Sequence, residues 1–265
     1  MFRYLTSFLL LFILVSPVQA GNAKLNQILE LSGLNEQLDM IPGMITSTVA
    51  QGDQRAPEEV VDKAEAIFRR AFSSERLRRQ VVDELSGQFS DAELNGLLTW
   101  YESPLAKKIT AAEHAAASVD AAELQMVVGA LGENQQLVEL AVEVERLTGI
   151  TDLMMRFQEQ AALSLYTTVA AIMQPGQPLN YDQMQAGIRQ QMGGARSQTY
   201  NYMLAIMMYS WKDISVEELQ QYRTFLRTDA ASRFMRLASK GTLDAMNLAF
   251  SDGVAELMQS LKKND

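Results

Sequence analysis

Apolar residues recur along this chain at helical spacing. Leu94, Leu97, Leu98 and Tyr101 fall at i, i+3, i+4 and i+7, which places them on one face of a helix. Leu219, Tyr222, Phe225 and Leu226 form a similar stripe, and Leu204, Met207, Met208 and Trp211 a third. No stretch sustains the period-two alternation of a half-buried strand. Start signals punctuate the pattern. Ser90-Asp91-Ala92-Glu93 and Ser215-Val216-Glu217-Glu218 are capping boxes, in which the serine accepts from the third amide and the glutamate reaches back. Ser103-Pro104 puts a cap before a proline at the first helical position. Gly33 and Gly149 stand where helices end. The pattern predicts helices near 23–32, 34–50, 57–71, 74–88, 91–102, 104–130, 134–148, 151–173, 181–212, 216–227 and 229–261. Residues 174–180 read as a loop, and Gly193-Gly194 is a place for the long helix before Trp211 to break. The fold class expected is all-α, a helical bundle.

The same plan occurs twice. Leu31-Ser32-Gly33-Leu34 opens one half and Leu147-Thr148-Gly149-Ile150 the other. Each later carries a capping box and a short helix that turns into a second one. In this register Trp100-Tyr101 aligns with Phe225-Leu226, Ser103 with Thr228, and Lys108 with Arg233. The bundle is therefore expected to consist of two related multi-helix halves, residues 21–133 and a divergent 134–265.

Residues 1–20 have the grammar of a signal peptide. Arg3 is a short positive region, Leu5 to Val15 is almost wholly apolar, Pro17 breaks the helix, and Val18-Gln19-Ala20 offers small residues before a cut. No later stretch is apolar enough to span a membrane. The expected mature chain is exported, periplasmic and not membrane-spanning. Among 265 residues, 23 basic and 32 acidic side chains give a net charge of −9. That balance argues against general nucleic-acid binding, which needs phosphate-neutralising cations. The chain has no cysteine, which excludes disulfides, thiolate metal sites and a cysteine nucleophile.

Residues 89–110, FSDAELNGLLTWYESPLAKKIT, resemble the signature of the domain of unknown function 2059, a family of exported, all-helical bacterial proteins. The family pattern is an aromatic pair, one residue, then Ser-Pro-x-Gly-x-Lys. Trp100, Tyr101, Ser103, Pro104 and Lys108 match it, while Ala106 stands in place of the usual glycine. Agreement is weaker over Leu25–Leu38, and the second half lacks the Ser-Pro pair. The resemblance implies a fold and an envelope location, and it brings no catalytic residues.

Candidate chemistry is sparse. His114 is the single histidine and lacks the carboxylate three positions away that a helical Glu-x-x-His metal site needs, since position 111 is alanine. Paired carboxylates at Glu58-Glu59, Asp83-Glu84, Glu143 with Glu145, and Glu217-Glu218 do not converge from a single helix face. Residues 68–79 carry five arginines (Arg69, Arg70, Arg76, Arg78 and Arg79), suited to a phosphate, an acidic polymer or an acidic protein, or to a solvated helix pair balanced by acids. Eleven of fifteen methionines lie after residue 150, among them Met203, Met207 and Met208. Thioethers can ligate Cu(I), but no histidine accompanies these, and adaptable packing is the simpler use. The expectation is a non-enzymatic protein, without cofactor or metal, that binds an envelope protein or envelope component through the arginine run and the methionine-rich face. The alternative is a hydrolase acting on a cell-wall or lipid substrate through paired carboxylates.

Overall fold

Polar side chains at fixed points start most of the helices. Ser90, Ser103, Asp120, Asn134, Asn180 and Ser215 each accept a hydrogen bond from an amide three residues on, satisfying one of the donors a helix N-terminus leaves free. A computed structural model describes residues 17–50, 58–173 and 180–262. Within them lie thirteen helices and no strand: α1 (Pro17–Leu31), α2 (Leu34–Ala50), α3 (Glu58–Ala71), α4 (Ser74–Leu85), α5 (Asp91–Tyr101), α6 (Pro104–Ala116), α7 (Ala121–Gly132), α8 (Gln135–Thr148), α9 (Ile150–Met173), α10 (Tyr181–Met192), α11 (Ala195–Ser210), α12 (Val216–Leu226) and α13 (Asp229–Lys262). The all-α bundle is as the periodicity predicts. Residues 1–16, and most of the expected loop at 174–180, lie outside the described residues.

Two boundaries differ most from expectation. The helix expected over 104–130 is two, because Asp120 starts a new one by accepting from the amide of Glu123 at 2.7 Å. The long helix over 181–212 breaks at Gly193-Gly194 into α10 and α11, where the glycine pair was expected to allow it. The first helix starts at Pro17 rather than residue 23 and runs across Ala20–Gly21. Gly33 and Gly149 do close α1 and α8, with φ of 76° and 63°. Only glycine adopts that left-handed conformation without steric cost.

The buried residues form two cores. The larger takes its residues from α1–α5, α9, α10 and α13, with Phe68, Phe72, Leu77, Val81 and Phe234 almost inaccessible. The smaller combines Leu137, Leu140 and Val144 of α8 with Met208 of α11, Trp211, Leu219 and Leu226 of α12, and Ile109 of α6. The cores cross the division at residue 133. Helix α13, from the second half, packs along α3 and α4 of the first, while α6 and α7, from the first half, pack against α11 of the second.

The contact of α13 with α3 and α4 is close because two glycines make it so. A Cβ on Gly253 would lie 2.8 Å from Phe68 Cε1, and one on Gly241 would lie 3.2 Å from Val81 Cα. Glycine to alanine inside a helix ordinarily gains about 1 kcal/mol. At Gly253 the fully buried Phe68 ring has nowhere to go, and overpacking costs about 1–3 kcal/mol. Gly253→Ala should therefore destabilise, by about 1 kcal/mol net. Gly187→Ala in α10, where nothing lies within 4 Å, should be neutral or stabilising. Urea melts of the two variants side by side check the pair; equal effects would refute the close-contact account.

Candidate functional site

At the Ser-Pro corner α5 and α6 meet α12 and α13. Ser103 accepts from the amide of Ala106 at 3.1 Å and so starts α6, with Pro104 at the position where its missing N–H costs nothing. On the other side, Thr228 accepts from the amide of Ala231 at 3.3 Å and starts α13 in the same way. Both preceding helices carry complete capping boxes, Ser90 with Glu93 and Ser215 with Glu218. The sequence predicts Trp100 and Tyr101 between the helices of their own hairpin; their ring partners come from the other one. Trp100 stacks on Phe225 with centroids 4.4 Å apart, and on Tyr222 at 6.2 Å. Tyr101 meets Phe225 and Phe234 edge-on.

Ion pairs cross the same junction in both directions. Lys108 on α6 bonds to Glu218, the capping-box acid of α12, at 2.7 Å. Arg233 on α13 approaches Glu93, the capping-box acid of α5, at 3.0 Å. The lysine beside Glu218 and the backbone amide of Ser215 hold that carboxyl below the usual range, and the Ser90 cap does the same for Glu93.

One strongly perturbed group lies behind the corner. Glu113 of α6 points its carboxyl at Trp211 and Tyr222. The indole Nε1–H donates to Glu113 Oε1 at 3.3 Å, and the Tyr222 hydroxyl also hydrogen-bonds the carboxyl. Removal from water pushes its pKa from 4.5 up to about 7, against the opposing effect of the two donors. Burial, together with this carboxylate, raises both Tyr101 and Tyr222 above the usual phenol range. Glu113 makes no ion pair among the described residues. The sequence did hold a signal for it. Ala106, Ile109 and Ala116 mark the buried face of α6, and Glu113 falls seven positions after Ala106, on that face.

Outside this packing the corner leaves a shallow, open groove of about 720 Å³. Thr99, Trp100, Pro104 and Lys108 line one side, and Glu218 and Gln221 the other.

The remaining sequence candidates are placed differently. Each of the five arginines has a carboxylate partner: Arg69 with Glu65, Arg70 with Glu256, Arg76 with Asp252, Arg78 with Asp39 and Arg79 with Glu75. Three of these five pairs tie α3 and α4 to α13 or α2. Met203 and Met208 are buried and Met207 half-buried, so this face of α11 is mostly interior. Exposed methionines are Met40 and Met44 on α2 and Met126 on α7. His114 is exposed and pairs with Glu36 at 2.6 Å. Among the described residues no three histidine or acidic side chains gather as metal ligands, and no helix is long and apolar enough to cross a membrane. The sequence matches no curated protein and no solved structure. Residues 75–131, from α4 through the Ser-Pro corner into α7, match the model of the family described as an uncharacterized protein conserved in bacteria, the domain of unknown function 2059.

Proposed function

We propose that this is an exported, non-enzymatic binding protein of the periplasm, built from two copies of one helical unit and holding a protein segment or envelope component in the groove at the Ser-Pro corner. The observation that carries the reading is the groove itself. One side of it lies in the segment that matches the family model, where signature residues Trp100, Ser103, Pro104 and Lys108 line it. The arginine run and the methionines are less suited to the task. The arginines already have carboxylate partners, and a buried thioether reaches a partner only after repacking. Duplication is supported by the matched caps at Ser103 and Thr228 and by the reciprocal pairs Lys108–Glu218 and Arg233–Glu93. Export is supported by the charged, apolar and small-residue order of residues 1–20.

Binding is favoured over hydrolysis by the surroundings of Glu113. A glycosidase-type site needs two carboxyls about 5–10 Å apart across a cleft. Glu113 faces two phenols and an indole instead. The test is a photo-crosslinking residue placed at Thr99 or Gln221 on the groove, with Gln191 on α10 as control, in cells that express the chain. Discrete adducts from the first two positions and none from the third are expected. Adducts from none of them, or the same adducts from all three, would sink the groove as the binding surface.

A further inference from the structure

Three guanidiniums converge on a single carboxylate where α8 meets α12. Glu143 of α8 receives Arg223 Nη1 at 3.3 Å and Arg146 Nη2 at 3.8 Å, and also pairs with Arg227. It is the only carboxylate paired with these arginines among the described residues. The cluster thus holds three positive charges against one negative charge, in a chain whose net charge is −9.

Helix ends explain part of this. Arg146 lies in the last turn of α8 and Arg223 in the last turn of α12, where the helix dipole favours a cation. That accounts for one positive charge per helix end, not for three guanidiniums crowded on one carboxylate. Nor is the cluster required by the packing of these helices. The matching place in the first half, where α1 meets α5, holds Gln27 and Glu102 joined by a neutral-donor hydrogen bond of 2.9 Å. Gln27 precedes Gly33 by the same interval as Glu143 precedes Gly149, and Glu102 and Arg227 each directly precede the capping residue of the next helix. At Gln27 and Glu102 the fold is served by one hydrogen bond, and the cation of the α1–α5 contact, Lys24, pairs with Asp91 instead.

Arg223 also has unused capacity. Its Nε–H is buried and has no acceptor, a state that costs about 1–3 kcal/mol when left uncompensated. Arg146 and Arg227 are more than half exposed, so the cluster is open to solvent.

We propose that Arg146, Arg223 and Arg227 form a binding site for a phosphoryl group. A phosphate dianion matches the local excess of two positive charges. Its tetrahedral oxygens can take donors from three directions, and guanidinium forks bind it bidentately. A ligand carboxylate has two oxygens in one plane, the role Glu143 already fills. The site lies on the side of α12 that faces α8 and is independent of the corner groove.

Inorganic phosphate is the first probe, with thermal melts of the whole chain in phosphate and in chloride at equal ionic strength. Phosphate should raise the wild-type midpoint by about 2–4 °C. The exposed pair Arg146→Gln/Arg227→Gln leaves the half-buried Arg223 in place and should abolish that rise while melting cooperatively. Arg78→Gln, whose partner is Asp39 elsewhere in the molecule, should retain it. A second arm uses sedimentation with phosphatidylcholine vesicles, with and without phosphatidylglycerol. Sedimentation with the anionic vesicles that is lost in the double variant identifies a lipid headgroup as the source; a response to phosphate alone identifies a soluble one. Failure of both probes, or an equal response in wild type and double variant, would overturn the proposal.

Discussion

Trp211→Ala should cost the fold about 4 kcal/mol, near the top of the range for emptying an enclosed aromatic site. The indole is 1 % exposed and belongs to the smaller core with Leu140, Val144, Ile214 and Leu219. Its ring stands edge-on to Tyr222 at 6.2 Å, and its N–H supports the Glu113 carboxyl. Alanine removes the packing and the donor together. At this chain length the melting midpoint should fall by roughly 10 °C. Trp211→Phe separates the two contributions. It keeps most of the ring and loses the N–H, so its cost should be only about 1–2 kcal/mol. Urea unfolding followed by circular dichroism measures both. An alanine variant within about 1 kcal/mol of wild type would mean that the smaller core does not depend on this side chain.

The second large effect is on pH. Glu113 has a folded-state pKa of about 7 against its ordinary 4.5, so the fold favours the neutral acid. No penalty exists below about 4.5; it grows as pH rises through the interval and is complete above 7. Its limit is about 3 kcal/mol, from 1.36 kcal/mol per pH unit. Wild-type protein should thus lose stability between pH 5 and pH 7.5 relative to Glu113→Gln, which carries no titrating proton. The acids in the first turns of α5 and α12 act in the opposite direction and in another window. Asp91, Glu93 and Glu218 have lowered pKa values, so their contribution is present at neutral pH and is lost only as pH falls below the ordinary carboxylate range. Trp211→Phe should steepen the Glu113 dependence, since a carboxylate with one donor fewer is harder to ionise in place. Parallel pH profiles for wild type and Glu113→Gln would refute the assignment.

Local features of the fold were legible in the sequence, and long-range ones were not. Ser90, Ser103 and Ser215 announced helix starts because a cap acts over three residues. The break before α7 carried the same kind of mark, Asp120 with Glu123, yet the apolar run around it resembles one continuous helix. The aromatic pair at the corner was visible, but its stacking partners, Phe225 and Tyr222, lie more than 120 positions away. The arginine run could be read either as a contact surface or as a helix pair balanced by acids, because several of its acids, Asp39, Asp252 and Glu256, are distant in the chain. Spacing alone could not distinguish exposed from buried methionines on α11, since which face meets a neighbour depends on α6, α8 and α9. Glu113 was overlooked beside the histidine, although its position on the buried face of α6 marks it.

The order of the helices along the chain also governs how the molecule can assemble. The larger core needs α13, whose Asp252 pairs with Arg76 176 positions earlier. The smaller core needs α6, made early, but waits for α11 and α12. A chain emerging N-terminus first from a ribosome therefore cannot complete its larger core until α13 has cleared the exit. Contacts of such separation close slowly, because loop entropy is spent before they form. In the interval the apolar faces of α3 and α4 that α13 will cover stand open.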